Sequence, residues 1–183
     1  ARLRCGGSPT LVHGDAKLAN FLFTDKRTQV AAVDFQYVGR GAAMKDVAYF
    51  VGSCLDGSEC ERLESKLLGV YFDALHRCLP NEVDAQALEK EWRSLYPVAW
   101  ADFERFMWGW NPGHRKLTDY SDATTERAID AITEELMAAA RDAAAAAARA
   151  AAFSAAFSAA ARAAASSAAF LAAASSAAFL AAA

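Results

Sequence analysis

Cysteine, histidine and proline are scarce in this chain of 183 residues, which holds four, three and four of them respectively. The thiols Cys5, Cys54, Cys60 and Cys78 form no Cys-x-x-Cys pair, and no histidine falls at zinc-finger spacing from them. A structural zinc site is therefore not indicated, and free thiols in a reducing, cytoplasmic setting are expected. Positive charge is not in excess either. The formal charge is -3 over the whole chain, and over residues 1–142 it is 17 basic minus 22 acidic residues, or -5. Such a balance offers no basic surface for nucleic acid or an anionic membrane. No signal peptide is visible, and no membrane span is expected. The first residue is Ala1 rather than Met, so the start is expected to lie inside a longer polypeptide.

One residue type is over-abundant. From Ala143 to Ala183, 27 of 41 positions are alanine, and Ser-Ser-Ala-Ala-Phe-Leu-Ala-Ala-Ala occurs twice in succession. A nine-residue repeat turns a helix by about 900°, so successive Phe-Leu pairs face opposite sides and build no stripe. Alanine favours helix, but the stretch reads as a placeholder for unidentified sequence, against a real or engineered alanine-rich extension, and no function is drawn from it. The expected division is residues 1–142 as a catalytic lobe and 143–183 as this alanine-rich segment.

Within residues 1–142 the period changes once. Thr10 to His13, Phe21 to Phe23 and Gln29 to Phe35 are short apolar runs, the last two reading as a β-hairpin about the charged turn at Thr24 to Arg27. From Met44 the spacing becomes helical. Helices are expected over Met44 to Leu55, from a Ser58/Glu61 capping box to about Leu79, from Asp84 to Trp108 with an interruption near Pro97, and from Ser121 to Arg141. Gly39-Arg40-Gly41 and the segment Trp108 to Gly113 read as loops. The expected class is α+β: a mainly helical lobe on a small strand-bearing core.

The polar signatures concentrate in the first 46 residues. His13-Gly14-Asp15-Ala16-Lys17-Leu18-Ala19-Asn20 is followed, after the hairpin, by Val33-Asp34-Phe35-Gln36. Phosphoryl transfer needs a group that positions an attacking hydroxyl and accepts its proton, and oxygen ligands that hold Mg²⁺ against phosphates. Asp15 suits the first task, and Asn20 with Asp34 the second. An acidic chain does not exclude ATP, since local dipoles, a lysine and metal ions hold phosphates.

His-Gly-Asp-x-x-x-x-Asn, then a strand and Asp-Phe-Gln, resembles the catalytic and metal-binding loops of the aminoglycoside phosphotransferase and choline kinase superfamily. The run Val33 to Gly41, with Asp46-Val47-Ala48-Tyr49-Phe50, is most similar to its ecdysteroid kinase-like (CHK kinase-like) branch. The resemblance implies a protein-kinase-like fold and transfer of the ATP γ-phosphoryl group to a hydroxyl of a small molecule. It implies Asp15 as catalytic aspartate, Asn20 and Asp34 as ligands of Mg²⁺, and His13 as a buttress of the catalytic loop.

Lys17 either neutralises the transferring phosphoryl group or is a solvated loop lysine. Gln36, where protein kinases have the glycine of Asp-Phe-Gly, speaks for a small-molecule substrate. Asp46 and Gln36 are expected to support the loop from behind. Trp108 or Trp110 either walls the acceptor pocket or packs in the core. Neither a Gly-rich phosphate loop nor a strand lysine precedes His13, so the nucleotide-covering N-terminal lobe is missing or unassigned. A catalytically silent binding or scaffold protein is the competing reading.

Overall fold

The computed structural model describes residues 8–26 and 28–181; Cys5 lies outside them. Residues 1–132 and 133–183 form two compact units. The first begins with four three-residue strands, β1 (Thr10–Val12), β2 (Phe21–Phe23), β3 (Val30–Ala32) and β4 (Gly39–Gly41). They pair antiparallel as β1 with β4 and β2 with β3, so the inner hairpin is nested in sequence within the outer pair. The hairpin lies where the apolar runs place it, and its turn is closed by the Thr24 N–H donating to Gln29 O at 3.1 Å. Strand β4 departs from the expected loop. Its glycines disfavour a strand locally, but β1 supplies a ladder from nearly thirty residues away, and local propensity cannot register that partner.

Four helices follow: α1 (Met44–Cys54), α2 (Gly57–Cys78), α3 (Ala85–Trp110) and α4 (Asp119–Ala181). The α2 cap sits two residues before the expected Ser58. Asp56 accepts from the Glu59 N–H at 2.8 Å, Glu59 accepts from the Asp56 N–H at 3.1 Å, and Ser58 merely donates to the Asp56 carboxylate. Asp caps as well as Ser, and the earlier box lengthens the helix. Helix α3 is likewise longer than expected, running through Pro97 and past Gly109 to Trp110. Proline removes one helical donor, but Leu88, Trp92, Leu95, Tyr96, Ala99 and Trp100 are buried along the same helix. Tertiary burial on both sides of the proline outweighs that local loss. Helix α4 starts at Asp119 and continues through the alanine-rich stretch, in keeping with alanine's propensity.

The core of the first unit lies among α1, α2 and α3, around Met44, Ala48, Phe72, Tyr96 and Trp100. Gly52 sets how closely α1 approaches α3, because a Cβ there would stand 3.1 Å from the Phe103 ring and 3.2 Å from that of Trp100. Cys54, Cys60 and Cys78 are free thiols. Burial pushes the Cys60 thiol up to about 11, so it stays protonated at neutral pH. No helix among the described residues is long and apolar enough to cross a membrane.

Glu64 ties α2 to the first turns of α4. Its carboxylate accepts from the Tyr120 hydroxyl at 2.7 Å and from both terminal nitrogens of Arg127, at 3.1 and 2.7 Å. Burial works to raise the Glu64 carboxyl, but the hydrogen bonds from Arg127 and Tyr120 outweigh it and hold it below its usual 4.5. A depressed folded-state value means stability that is fully present above pH 4.5 and is lost as pH falls through the folded pKa. Glu64→Gln is expected to cost about 1 kcal/mol at pH 7, since Arg127 is half exposed. It should also flatten the acid limb of stability below about pH 4.5, which thermal melts of both proteins across that range would check.

Candidate functional site

Two ladders bring distant loops side by side. The β1–β4 register pairs Val12 with Gly39, so residues 13–20 leave β1 beside the end of the 33–38 loop. The β2–β3 register pairs Phe21 with Ala32, and the Val33 N–H donates to Asn20 O at 3.0 Å, extending that ladder by one step. Asn20 is thus fixed beside Val33, and Asp34 follows directly. At the other end Gly14 has φ +82°, and a Cβ on it would lie 2.4 Å from the Tyr37 carbonyl oxygen. Only glycine fits there without displacing backbone.

Helix α1 anchors the 13–20 loop twice. Near its N-terminus Asp46 accepts from the His13 N–H at 2.6 Å and the Gly14 N–H at 3.0 Å. Toward its other end, Ser53 Oγ accepts from the Leu18 N–H at 2.7 Å and donates to Phe50 O at 2.8 Å. The His13 ring spans both loops. Its Nδ1 accepts from the Asp15 N–H at 3.3 Å, and its Nε2 lies 2.8 Å from Val33 O. A carbonyl only accepts, so Nε2 carries the proton and both ring nitrogens are committed. Phe35 and Phe21 flank the ring, with centroids 5.0 and 5.8 Å away. His13 fastens one loop to the other, with no nitrogen left over for proton transfer.

Asp15 is buried, and its Oδ2 accepts from Lys17 Nζ at 2.7 Å and Asn20 Nδ2 at 3.0 Å. Burial works to raise this carboxyl. The hydrogen bonds from Lys17 and Asn20, with the Lys17 charge, overcome burial and hold it below its ordinary value. Lys17 is raised in turn, chiefly by its hydrogen bond to Asp15. The result is a carboxylate held ionised and oriented, suited to receiving a hydrogen bond from an alcohol.

Asn20 is also buried and uses Nδ2 twice, on the Asp15 backbone carbonyl at 2.8 Å and on its carboxylate, so that its Oδ1 is free to accept. Asp34 is exposed, and its φ of +66° makes it the one non-glycine described residue in the left-handed region. Strain of this kind costs about 1–3 kcal/mol and clusters at functional sites. Asp34 carries no hydrogen bond or ion pair among the described residues, although its charge reaches Lys17. Among the described residues no group of three or more His, Cys, Asp or Glu forms a metal cage. Mg²⁺ in phosphoryl-transfer sites needs no such cage, being held by one or two protein oxygens with phosphates and water. The uncommitted oxygens of Asn20 and Asp34 fit that requirement. Gln36 is exposed in the following turn and makes no hydrogen bond to the loop.

Asp15 and Gly14 floor a cleft of about 380 Å³ between the loops, α1 and α3. Its aromatic walls are Tyr37, Tyr49, Phe103 and Phe106, and its charged ones include Lys45, Asp102 and Arg105. Neither Trp108 nor Trp110 lines it and both are exposed, so neither expectation for those residues holds. Because α3 is unbroken to Trp110, residues 99, 103 and 106 share the face toward α1. Trp108 instead donates Nε1–H to Glu104 at 3.2 Å, and Trp110 stacks on Phe106 at 6.3 Å. Reasoning from sequence missed Phe103, Phe106 and Tyr49. Tyr49 had a signal, lying one helical turn after Asp46, whereas the α3 residues depend on how α3 docks. Residues 133–181 are helical.

Gly14→Ala should destabilise the protein by at least about 2 kcal/mol, a loss that equilibrium denaturation would register. A change under about 0.5 kcal/mol would contradict the tight Gly14–Tyr37 contact.

Residues 4–82 match the model of the ecdysteroid kinase-like family. The match takes in all four strands, both loops, α1 and α2, and ends before α3, which supplies the opposite wall of the cleft. The chain has no match among curated proteins or solved structures. The similarity to ecdysteroid kinase-like proteins therefore covers the loops that carry Asp15, Asn20 and Asp34, on less than half of the chain.

Proposed function

We propose that the chain is the catalytic lobe of an ATP-dependent phosphotransferase with a protein-kinase-like fold, moving the γ-phosphoryl group of ATP to a hydroxyl of a small molecule. The observation that carries this reading is the convergence of two loops on Asp15. An ionised, immobilised carboxylate lies at the floor of an open cleft, with uncommitted Asn20 and Asp34 oxygens on the adjoining strand ends.

In this reading the acceptor alcohol enters the cleft and donates its O–H to Asp15. As the oxygen bonds to the γ-phosphorus and the bond to the ADP oxygen breaks, the proton passes to the Asp15 carboxylate. Lys17, paired with Asp15 at 2.7 Å, moderates that carboxylate's charge and stands where charge develops on the phosphoryl oxygens. His13 and Asp46 hold the loop. Asn20 Oδ1 and the Asp34 carboxylate would hold Mg²⁺, which when bound neutralises charge on the phosphates. Phe103 and Phe106 would contact the body of the acceptor.

Full-length protein, assayed for Mg²⁺-dependent ATP turnover against amino alcohols, sugars, aminoglycosides and steroids, tests the reading. Asp15→Asn should lower turnover by about 10³-fold or more while leaving the melting temperature near that of the parent. Asp34→Ala should lose Mg²⁺-dependent nucleotide binding. Absence of both turnover and Mg-ATP binding in the parent would refute the proposal, and normal Mg-ATP affinity in Asp34→Ala would remove Asp34 from its role.

A further inference from the structure

Helix α1 touches the Asp15 segment at more than the backbone. Asp46 and Tyr49 are three residues apart and so lie on one face of α1. That face is turned toward Asp15, since Asp46 holds the N–H groups of His13 and Gly14 and both residues line the cleft that Asp15 floors. The Tyr49 ring is half-buried and packs at a tilt on Phe103, with centroids 5.0 Å apart. Its ring is therefore held between α1 and α3.

The carboxylate has room for a third partner. Lys17 and Asn20 both act on Oδ2, which leaves Oδ1 without a hydrogen bond from the described residues. Tyr49 and Asp15 also feel each other electrostatically. Burial, followed by the Asp15 charge, raises the Tyr49 phenol, and Tyr49 contributes to holding the Asp15 carboxyl down. A phenol that stays protonated is a donor, and a donor beside an ionised carboxylate orients it.

We propose that Tyr49 is a positioning residue for the transfer step: its hydroxyl, presented from the same face of α1 as Asp46, fixes the cleft-side oxygen of Asp15 in line with the acceptor hydroxyl. The inference rests on the phosphotransferase reading. Tyr49 gains and loses no proton. The acceptor's proton goes to Asp15, the acceptor oxygen bonds to phosphorus, and ADP departs with the electrons of the broken P–O bond. Asp46 thus sets where the loop backbone lies, Lys17 and Asn20 hold one carboxylate oxygen of Asp15, and Tyr49 steadies the other. Geometric control of this kind acts on the reacting pair and not on ground-state binding, and small misplacements are costly to rate.

The test uses full-length Tyr49→Phe, which keeps the ring against Phe103 and removes only the hydroxyl. Initial rates are measured with Mg-ATP and whichever panel alcohol the parent turns over fastest. The expected result is a kcat lower by about 10-fold or more, with acceptor KM and Mg-ATP affinity within about twofold of the parent. Fluorotyrosine at position 49, which restores a hydroxyl of the same reach, is expected to recover most of the loss. Unchanged kcat, or a raised acceptor KM at unchanged kcat, would reduce Tyr49 to a wall of the pocket and overturn the proposal.

Crystal structures of the parent and Tyr49→Phe give a readout independent of turnover. The Asp15 carboxylate is expected to rotate in the variant, and one that stays in place would overturn the positioning role even in a protein that transfers no phosphate. Failure of the parent to turn over any alcohol would count against the phosphotransferase reading itself, so the two failures are distinguishable.

Discussion

The Asp46 carboxylate, buttoned to the His13 and Gly14 N–H groups at 2.6 and 3.0 Å, is the interaction on which the site is built. It joins a helix of the hydrophobic core to the loop that carries Asp15 and Asn20. Met44 and Ala48, on either side of Asp46, are wholly buried, so the carboxylate cannot drift. Two backbone donors on one ionised acceptor are stronger than neutral hydrogen bonds, and an acid near a helix N-terminus is favoured by the dipole. The placement of Asp15 is borrowed from the hydrophobic core through this side chain, with Ser53 as the second anchor on the same helix.

Around that anchor the site trades local comfort for placement. Gly14 and Asp34 both take left-handed backbone, the first where a side chain would also strike Tyr37 and the second with no hydrogen bond among the described residues. Asp15 is buried, yet it stays ionised because Lys17 and Asn20 outweigh the loss of water. The nested ladders make these arrangements mutual. His13 reaches across to Val33, and Asn20 pairs with it, so neither loop can move without the other. Preorganised groups of this kind cost stability when the protein folds and need little reorganisation when a substrate reacts.

Most of the polar site was legible in the sequence because it is local. Asp15 and Asn20 lie five residues apart in one loop, Asp34 ends the strand after the next turn, and Asp46 opens the following helix. What was not legible depends on contacts between elements remote in sequence. Strand β4 looks like a loop until β1 is beside it. Ser58 with Glu61 reads as the α2 capping box because the pattern is good, but Asp56 and Glu59 form the same pattern two residues earlier. The glycines and proline of Trp108 to Gly113 read as a loop, which leaves Trp108 or Trp110 either to wall the pocket or to pack in the core. Helix α3 continues, and its docking on Gly52 turns Phe103 and Phe106 to the cleft instead. Gln36, expected behind the loop, stands in solvent, where the turn after Asp34 carries it.

The central claim is that residues 13–20 and 33–38 together form one metal–phosphate site. Paramagnetic broadening of backbone amide signals by Mn²⁺ in the presence of ATP, recorded on the full-length protein, tests it most directly. The account predicts ATP-dependent broadening of Asn20 and Asp34 and their neighbours in both loops, with the Glu64–Arg127 region spared. Broadening centred elsewhere in residues 8–132, or unaffected by ATP, would contradict it.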